Sequence, residues 1–287
     1  MSFDFQVISP QTSEELLEAI AANQDNHFRF GAGGTDLQLE LKRNPENNLT
    51  VVNLAQVQDD AFRSISKTTN GYRIGALTTA AEILDNKELK NEYFTLWDAA
   101  NNLASSQIRH VATVGGNLCT ASPSGDIACA LVALKADCEI LNTKGDVRSV
   151  PITEFLVNVR QTALKKDEVL RSVVINNNLT TDRYSGFIKV GTRLSMECSV
   201  VSLAYHIQKD SNGTIQDAGI SIGSVAPTIK FTETACNFLN EKSKLTEDER
   251  SEFAKLVSEY ASPISDVRAS AWYRAEVLFN ISKGLLE

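Results

Sequence analysis

The stretch Phe30-Gly31-Ala32-Gly33-Gly34-Thr35-Asp36-Leu37 decides how this chain is read. It joins a segment at 27–30, read as a strand, to a segment at 35–42 in which Leu37 and Leu41 stand four apart. That spacing predicts a strand turning into a helix. Glycines at such a turn let backbone N–H groups come close to an anion, and the helix start that follows favours negative charge. Thr35 adds a hydroxyl donor, so the stretch suits a pyrophosphate. It is not the dinucleotide fingerprint: Gly31 and Gly33 fit G-x-G, but Asp36 stands at the third glycine position. No Gly-Lys-Ser/Thr follows, so it is not a P-loop. Taken alone, the same residues equally describe a tight turn with a helix cap.

Working outward, residues 3–7 read as a strand, and the capping box Thr12-Ser13-Glu14-Glu15 opens a helix at 14–22. Asn44-Pro45 ends the helix at 35–42, and 49–54 is a third strand. Strand, helix, strand, helix, strand predicts a small parallel unit with right-handed crossovers. The middle is mixed. It has strands at 72–76 and 169–175, a second capping box at Thr79-Ala80-Ala81-Glu82, and helices at 92–104 and 127–136. The last third has strands at 186–190, 200–208 and 215–225, with Asp210-Ser211-Asn212-Gly213 as a hairpin turn. Helices at 232–240, 247–258 and 266–278 close the chain.

Between the middle helices lies a segment at 105–124 rich in Ser, Thr and Gly, read as a long irregular loop. It contains Thr113-Val114-Gly115-Gly116-Asn117-Leu118 and runs on through Ala121-Ser122-Pro123-Ser124-Gly125-Asp126. N–H groups, hydroxyls and one carboxylate are on offer there, and a long loop inside a compact domain is generally functional. Two glycine pairs far apart in sequence suggest two loops converging on one elongated phosphate-containing ligand.

Composition narrows the classes. The 287 residues suffice for two or three modest domains. Lys+Arg 28 against Asp+Glu 36 gives a net charge of −8, poor for gripping a nucleic-acid backbone. No apolar stretch approaches the ~20 residues that span a bilayer. Met1-Ser2-Phe3-Asp4 lacks a basic, then apolar, leader, so the expected location is cytoplasmic. Cys119, Cys129, Cys138, Cys198 and Cys236 are odd in number and without C-x-x-C spacing. They read better as small apolar residues than as a disulfide framework or metal set. His27, His110 and His206 have no metal-spaced partner, no H-E-x-x-H is present, and no G-x-S-x-G stands at a strand-to-helix elbow, since Gly219-Ile220-Ser221-Ile222-Gly223 spells it within the strand read at 215–225. Hence no catalytic residue and no metal ligand is expected, as befits a protein whose cofactor does the chemistry.

The two loops together resemble those of the FAD-binding (medium) subunits of the xanthine dehydrogenase and carbon monoxide dehydrogenase family of molybdenum hydroxylases. The match includes Ala-Gly-Gly-Thr-Asp-Leu at 32–37, Thr-Val-Gly-Gly-Asn-Leu at 113–118, Ala-Ser-Pro at 121–123 and Gly-Asp at 125–126. Phe187, Lys189 and Arg193 fit a Phe-x-Lys-x-x-x-Arg segment. Asp266, Arg268, Ser270, Tyr273 and Arg274 fit a late Asp-x-Arg-x-Ser-x-x-Tyr-Arg pattern.

The resemblance implies an α+β fold: a vanillyl-alcohol-oxidase-type FAD-binding domain over 1–178, with α/β subdomains at about 1–56 and 57–178. A C-terminal domain of antiparallel sheet and helices would occupy 179–287. It implies non-covalent FAD, its pyrophosphate wrapped by Gly31, Ala32, Gly33, Gly34, Thr35, Asp36 and Leu37, with Arg29 and Phe30 at the start. Thr113, Gly115, Gly116 and Asn117 would hold the other side, closed by Ser122 and Asp126. Leu103 and Leu170 would sandwich the adenine, and Lys189 would stand near the flavin ring. Some relatives carry an extra iron–sulfur cluster after the second loop. The short Cys119 to Cys129 segment leaves no room for that insertion, so none is expected here.

As implied partners, a molybdopterin-containing large subunit would hydroxylate the substrate and a small subunit with two [2Fe–2S] clusters would relay electrons. NAD or another acceptor would take them from FAD. The alternatives are a self-sufficient flavin oxidase of the same fold and a non-enzymatic nucleotide-binding scaffold. The first lacks an evident flavin-linking His or Cys and a substrate domain; the second leaves one loop unexplained.

Overall fold

A computed structural model describes residues 5–176, 182–193 and 196–287. The start of the first predicted strand, Phe3 and Asp4, and the expected domain boundary at 178/179 lie outside the described residues. Three larger sheets follow one another along the described residues, beside one two-stranded pair.

The first has the order β1-β3-β2, with β1 Phe5–Ile8, β2 Phe28–Gly31 and β3 Leu49–Asn53 all parallel. Helices α1 Ser13–Asn23 and α2 Leu37–Arg43 make the two crossovers. Thr12 caps α1 by accepting from the Glu15 N–H. Leu16 and Ile20 of α1 bury against Val52, Leu54, Val57 and Phe62.

The second sheet is antiparallel, order β4-β5-β10-β6-β7. Helix α3 Asp60–Arg63 leads into β4 Ile65–Thr68 and β5 Gly71–Gly75. A helical block then intervenes: α4 Ala80–Asp85, α5 Lys87–Glu92, α6 Phe94–Asn102, α7 Ser106–Arg109, α8 Val114–Thr120 and α9 Asp126–Ala133. Strands β6 Asp137–Asn142 and β7 Val147–Pro151 follow, then α10 Ile152–Phe155, the small pair β8 Leu156–Asn158 and β9 Gln161–Thr162, and the central strand β10 Glu168–Asn176.

The third sheet has order β11-β12-β13-β14: Asp182–Val190, Val201–Lys209, Ile215–Gly223 and Lys230–Phe231. Helices α11 Glu233–Leu239, α12 Glu247–Ser258 and α13 Ala271–Lys283 pack on one face, where Val201, Leu203, Ile207, Phe253 and Leu278 form a core. The other face meets α6 and α9. Ala204 and Phe187 join the core of the middle region, and the Ser221 hydroxyl donates to the Cys129 carbonyl at 2.6 Å. Both faces of β12 are thus covered, so it reads as a nearly continuous buried run.

The expected α+β fold is observed, with three differences in detail. Residues 105–124 are largely helical, because Ser105 and Thr113 each cap a short helix, accepting from the Ile108 and Gly116 N–H groups. The helix expected at 92–104 breaks at Tyr93, whose backbone leaves the helical region (φ −133°, ψ 57°) where α5 ends and α6 begins. The last helix begins at Ala271, not 266: Ser270 is its cap, and Asp266 instead closes a turn onto the Arg268 and Ala269 N–H groups. Among the described residues no helix is long and apolar enough to cross a membrane.

Candidate functional site

The first glycine loop leaves β2 at Gly31, which still pairs with Asn53. Gly34 takes the left-handed conformation (φ +69°) that turns the chain into α2. An L side chain there would be strained. Gly33 has another reason to be glycine. A Cβ placed on it would lie 1.8 Å from the Val111 carbonyl oxygen and 2.6 Å from that carbonyl's carbon. The first loop therefore rests its bare backbone on residue 111, two positions before Thr113. The two loops are neighbours, as their chemistry suggests.

Their roles differ. Among the described residues, the N–H groups of Ala32, Gly33, Gly34, Thr35 and Asp36 make no hydrogen bond within the chain. Residues 32–35 are half-buried. Successive half-buried N–H groups without acceptors are uncommon, and such a row forms a concave anion receptor. The second loop is spent on structure instead. The Val114 N–H donates to the Thr78 carbonyl (2.9 Å), Gly115 to Ala76 (2.7 Å) and Gly116 to the Thr113 hydroxyl (3.0 Å). The free donors expected on 114–116 are taken by the 76–78 segment and by the helix cap. Asn117 likewise caps α9, its side-chain oxygen accepting from the Ala128 N–H at 2.9 Å. Among the described residues, the N–H groups of Asp126 and Ile127, at the start of α9, have no acceptor.

Arg29 is not a free cation: its guanidinium bonds Glu40 at 2.5 Å and Glu46 at 2.9 Å. The hydrogen bond from Arg29 holds the Glu40 carboxyl below its ordinary range. Phe30 stacks edge-on against Phe28 and lines a groove of about 570 Å³ with His27, Leu164 and Lys165. Leu37 opens α2, and Asp36 is exposed with its side chain free of the cap. Leu103 and Leu170 belong to one core cluster, 8% and 2% exposed, and so offer little surface. Ser122 closes a turn: its hydroxyl accepts from the Ser124 N–H and its carbonyl from the Gly125 N–H.

Lys189, Asp126 and Asn102 come together from three elements. The Lys189 ammonium donates to Asp126 Oδ2 at 2.6 Å and to the Asn102 carbonyl at 3.0 Å, with both charged side chains nearly buried. Burial pushes the Asp126 carboxyl up to about 6, against the pull of Lys189. Asp126 Oδ1 is buried and has no hydrogen-bond partner among the described residues. A buried acceptor with no donor calls for an outside one.

These features fit FAD. The row of free N–H groups suits a pyrophosphate, and the unpaired Asp126 oxygen suits a hydroxyl donor. The fit owes nothing to the cysteines: Cys119 and Cys198 are exposed, and Cys129, Cys138 and Cys236 buried. No group of three or more His, Cys, Asp or Glu able to hold a metal occurs among the described residues. Sequence reasoning missed the carbonyls of Ala76 and Thr78 and the hydroxyls of Ser199 and Ser224, which support the second loop. No local pattern marks any of them.

Known proteins give the same picture. The sequence family described as the FAD binding domain in molybdopterin dehydrogenase matches residues 3–177, and the CO dehydrogenase flavoprotein C-terminal domain matches 187–286. The chain is 28% identical to a putative xanthine dehydrogenase FAD-binding subunit of Escherichia coli, covering 99% of this chain and 96% of that one. It is also 28% identical to a nicotinate dehydrogenase FAD-subunit of Eubacterium barkeri, over 77% of this chain and 75% of the relative. In fold it is similar to carbon monoxide dehydrogenase from Hydrogenophaga pseudoflava, with TM-score 0.89 and 21% identity over 98% of this chain and 95% of that one. It also resembles quinoline 2-oxidoreductase from Pseudomonas putida, with TM-score 0.88 and 24% identity over 99% and 96%. The chain belongs to the FAD-binding subunit family of the xanthine dehydrogenase and carbon monoxide dehydrogenase type of molybdenum hydroxylases, and is an oxidoreductase component whose cofactor is FAD.

Proposed function

We propose that this chain is the electron-transfer subunit of a molybdenum hydroxylase complex, working in the cytoplasm. It would accept electrons from [2Fe–2S] clusters of a small partner subunit and pass them to NAD or another acceptor, while a large molybdopterin subunit performs the hydroxylation. The single observation that carries the site is the row of unpaired N–H groups at 32–36, built against the backbone of residue 111. FAD, when bound, supplies reversible redox chemistry; the residues of the chain bind and orient it.

In this reading the domains are 1–178 and 179–287, and the loop from Gly31 to Leu37 receives the pyrophosphate. Thr113, Gly115, Gly116 and Asn117 shape the facing wall rather than donating to it. Ser122 and Asp126 close the site. Leu103 and Leu170 flank the adenine. Lys189, held by Asp126 and Asn102, places a cation where it can favour an anionic ring. Arg29, bound to Glu40 and Glu46, fixes β2 to α2 rather than contacting a phosphate.

The test has two parts. The purified chain is expected to carry FAD in about one-to-one ratio, as one site requires, and to release it on boiling. Substrate-dependent dye reduction is then compared between the chain alone and the complex reconstituted with both partners. Activity only in the complex is expected. Equal activity in both would place the substrate chemistry in this chain and refute the electron-transfer reading.

A further inference from the structure

Ser224 is a non-glycine residue in the left-handed backbone region, with φ 65°. Such a conformation is unfavourable for a residue with a Cβ and persists only where its surroundings enforce it. Here the enforcement comes from both sides. Arg274 of α13, 4% exposed, donates through Nη1 to the Ser224 carbonyl at 3.0 Å and the Val200 carbonyl at 2.6 Å. Its Nη2 donates to Asp266 Oδ1 at 2.8 Å. The Arg268 N–H on Asp266 holds that carboxyl down at about 2, with Arg274 adding to the effect, so Asp266 stays ionised through the neutral range.

On its other side Ser224 grips the second loop. Its N–H donates to the Pro123 carbonyl at 2.8 Å, and its hydroxyl donates to the Ser124 hydroxyl at 2.8 Å. Ser199 adds a third hydroxyl, 2.8 Å from that of Ser224. Ser124 in turn donates its N–H to the Ser122 hydroxyl, in the turn that leads to Asp126. An unbroken chain of hydrogen bonds thus runs from Asp266 through Arg274 and Ser224 to the Ser122–Asp126 turn.

We propose that Arg274 is a positioning residue for the cofactor: acting through Ser224, it fixes Pro123 and Ser124 and so sets where Ser122 and Asp126 stand. The proposal rests on the site reading above, in which Ser122 and Asp126 close the FAD site. It assigns the C-terminal Asp-x-Arg-x-Ser-x-x-Tyr-Arg segment a part in cofactor affinity although, among the described residues, that segment makes no hydrogen bond to either glycine loop.

The test is a double-mutant cycle on FAD affinity in the full chain, with FAD titrated by quenching of its own fluorescence. The variants are Arg274→Met, Ser124→Ala and the two combined, with Ser224→Ala as a third single change. Losing one hydrogen bond of the chain should weaken FAD about three- to fivefold, and losing the guanidinium about tenfold or more. Because all act on one turn, the combined variant should be no weaker than Arg274→Met alone. A purely structural role for Arg274 would lower the melting temperature and leave the FAD dissociation constant of the folded protein unmoved. If Arg274→Met does not fold, the cycle between Ser224→Ala and Ser124→Ala decides, since each removes only a hydroxyl. Additive effects, or dissociation constants indistinguishable from wild type in folded variants, overturn the positioning role while leaving the site intact. Failure of the wild-type chain to bind FAD overturns the site reading and this proposal with it.

Discussion

Replacing Gly33 by alanine tests the convergence of the two loops with a single methyl group. The new Cβ would sit 1.8 Å from the Val111 carbonyl oxygen, where real Cβ contacts respect at least 3.0 Å. The obstruction is backbone on both sides, so no side chain can swing away. Loop 31–37 and residue 111 must separate by about the difference, more than 1 Å. A hydrogen bond near 2.9 Å stretched by that much is no longer one. Bonds to charged groups contribute about 1.5–3 kcal/mol each. Misaiming two of the N–H groups at 32–36 would therefore weaken FAD by about 100-fold or more. Overpacking would also lower stability by about 1–3 kcal/mol. FAD titration by fluorescence quenching, beside a thermal melt of the apoprotein, reads both. Gly284→Ala is the control, since a Cβ there meets nothing within 4 Å. An unchanged FAD dissociation constant in folded Gly33→Ala protein would refute the reasoning.

Three further outcomes are expected. Gly116→Val puts a branched side chain on a Cβ 2.9 Å from the Thr113 hydroxyl, so it should disrupt the α8 cap at a cost of about 1 kcal/mol and lower FAD affinity; a melt and titration matching wild type would count against the two-loop site. The pH dependence of stability should split between two buried groups of opposite sign. Asp126, raised by burial to about 6, contributes stability that is present below about pH 4 and lost as pH rises through 6. His206, lowered to about 4 by burial and then by Arg183, contributes stability present above about pH 6.5 and lost as pH falls towards 4. Each amounts to about 3 kcal/mol, so the two nearly cancel; Asp126→Asn should make acidification from pH 6.5 to 4.5 more damaging, His206→Gln less so, and parallel melting curves for all three proteins would contradict this. Finally, the isolated chain should hold no stoichiometric iron or acid-labile sulfide, and about four irons per chain after anaerobic purification would show a cubane cluster that the cysteine spacing hides.

The fold was legible wherever its causes are local. Thr12 and Thr79 cap helices as their Ser/Thr-x-x-Glu patterns predict, and the run from Leu49 forms the central strand of the parallel sheet. The 105–124 segment was misread because its glycines argue against helix on propensity alone. Burial of Val114 and Leu118 and the caps from Ser105 and Thr113 outweigh that cost. The break at Tyr93 was invisible for a similar reason. It is set by the ring's place in the core, where it packs edge-on with Tyr72 and lies over His206.

In the site, the divide falls between residues that act through their own backbone and residues that act through distant partners. Gly33 and Gly34 declare themselves, because only glycine fits the close approach to residue 111 and the left-handed turn. That Gly115 spends its N–H on Ala76, or that Arg274 reaches Ser224 fifty residues away, depends on how the sheets are stacked. The same stacking gives the site a polarity that no motif announces. Asp126 and Lys189 largely cancel each other's charge, so the α9 end attracts phosphate weakly, whereas the five free N–H groups at 32–36 carry no compensating acceptor. A dinucleotide entering this site should therefore seat its pyrophosphate on the first loop and turn its uncharged hydroxyls towards Asp126 Oδ1, the buried acceptor left without a donor.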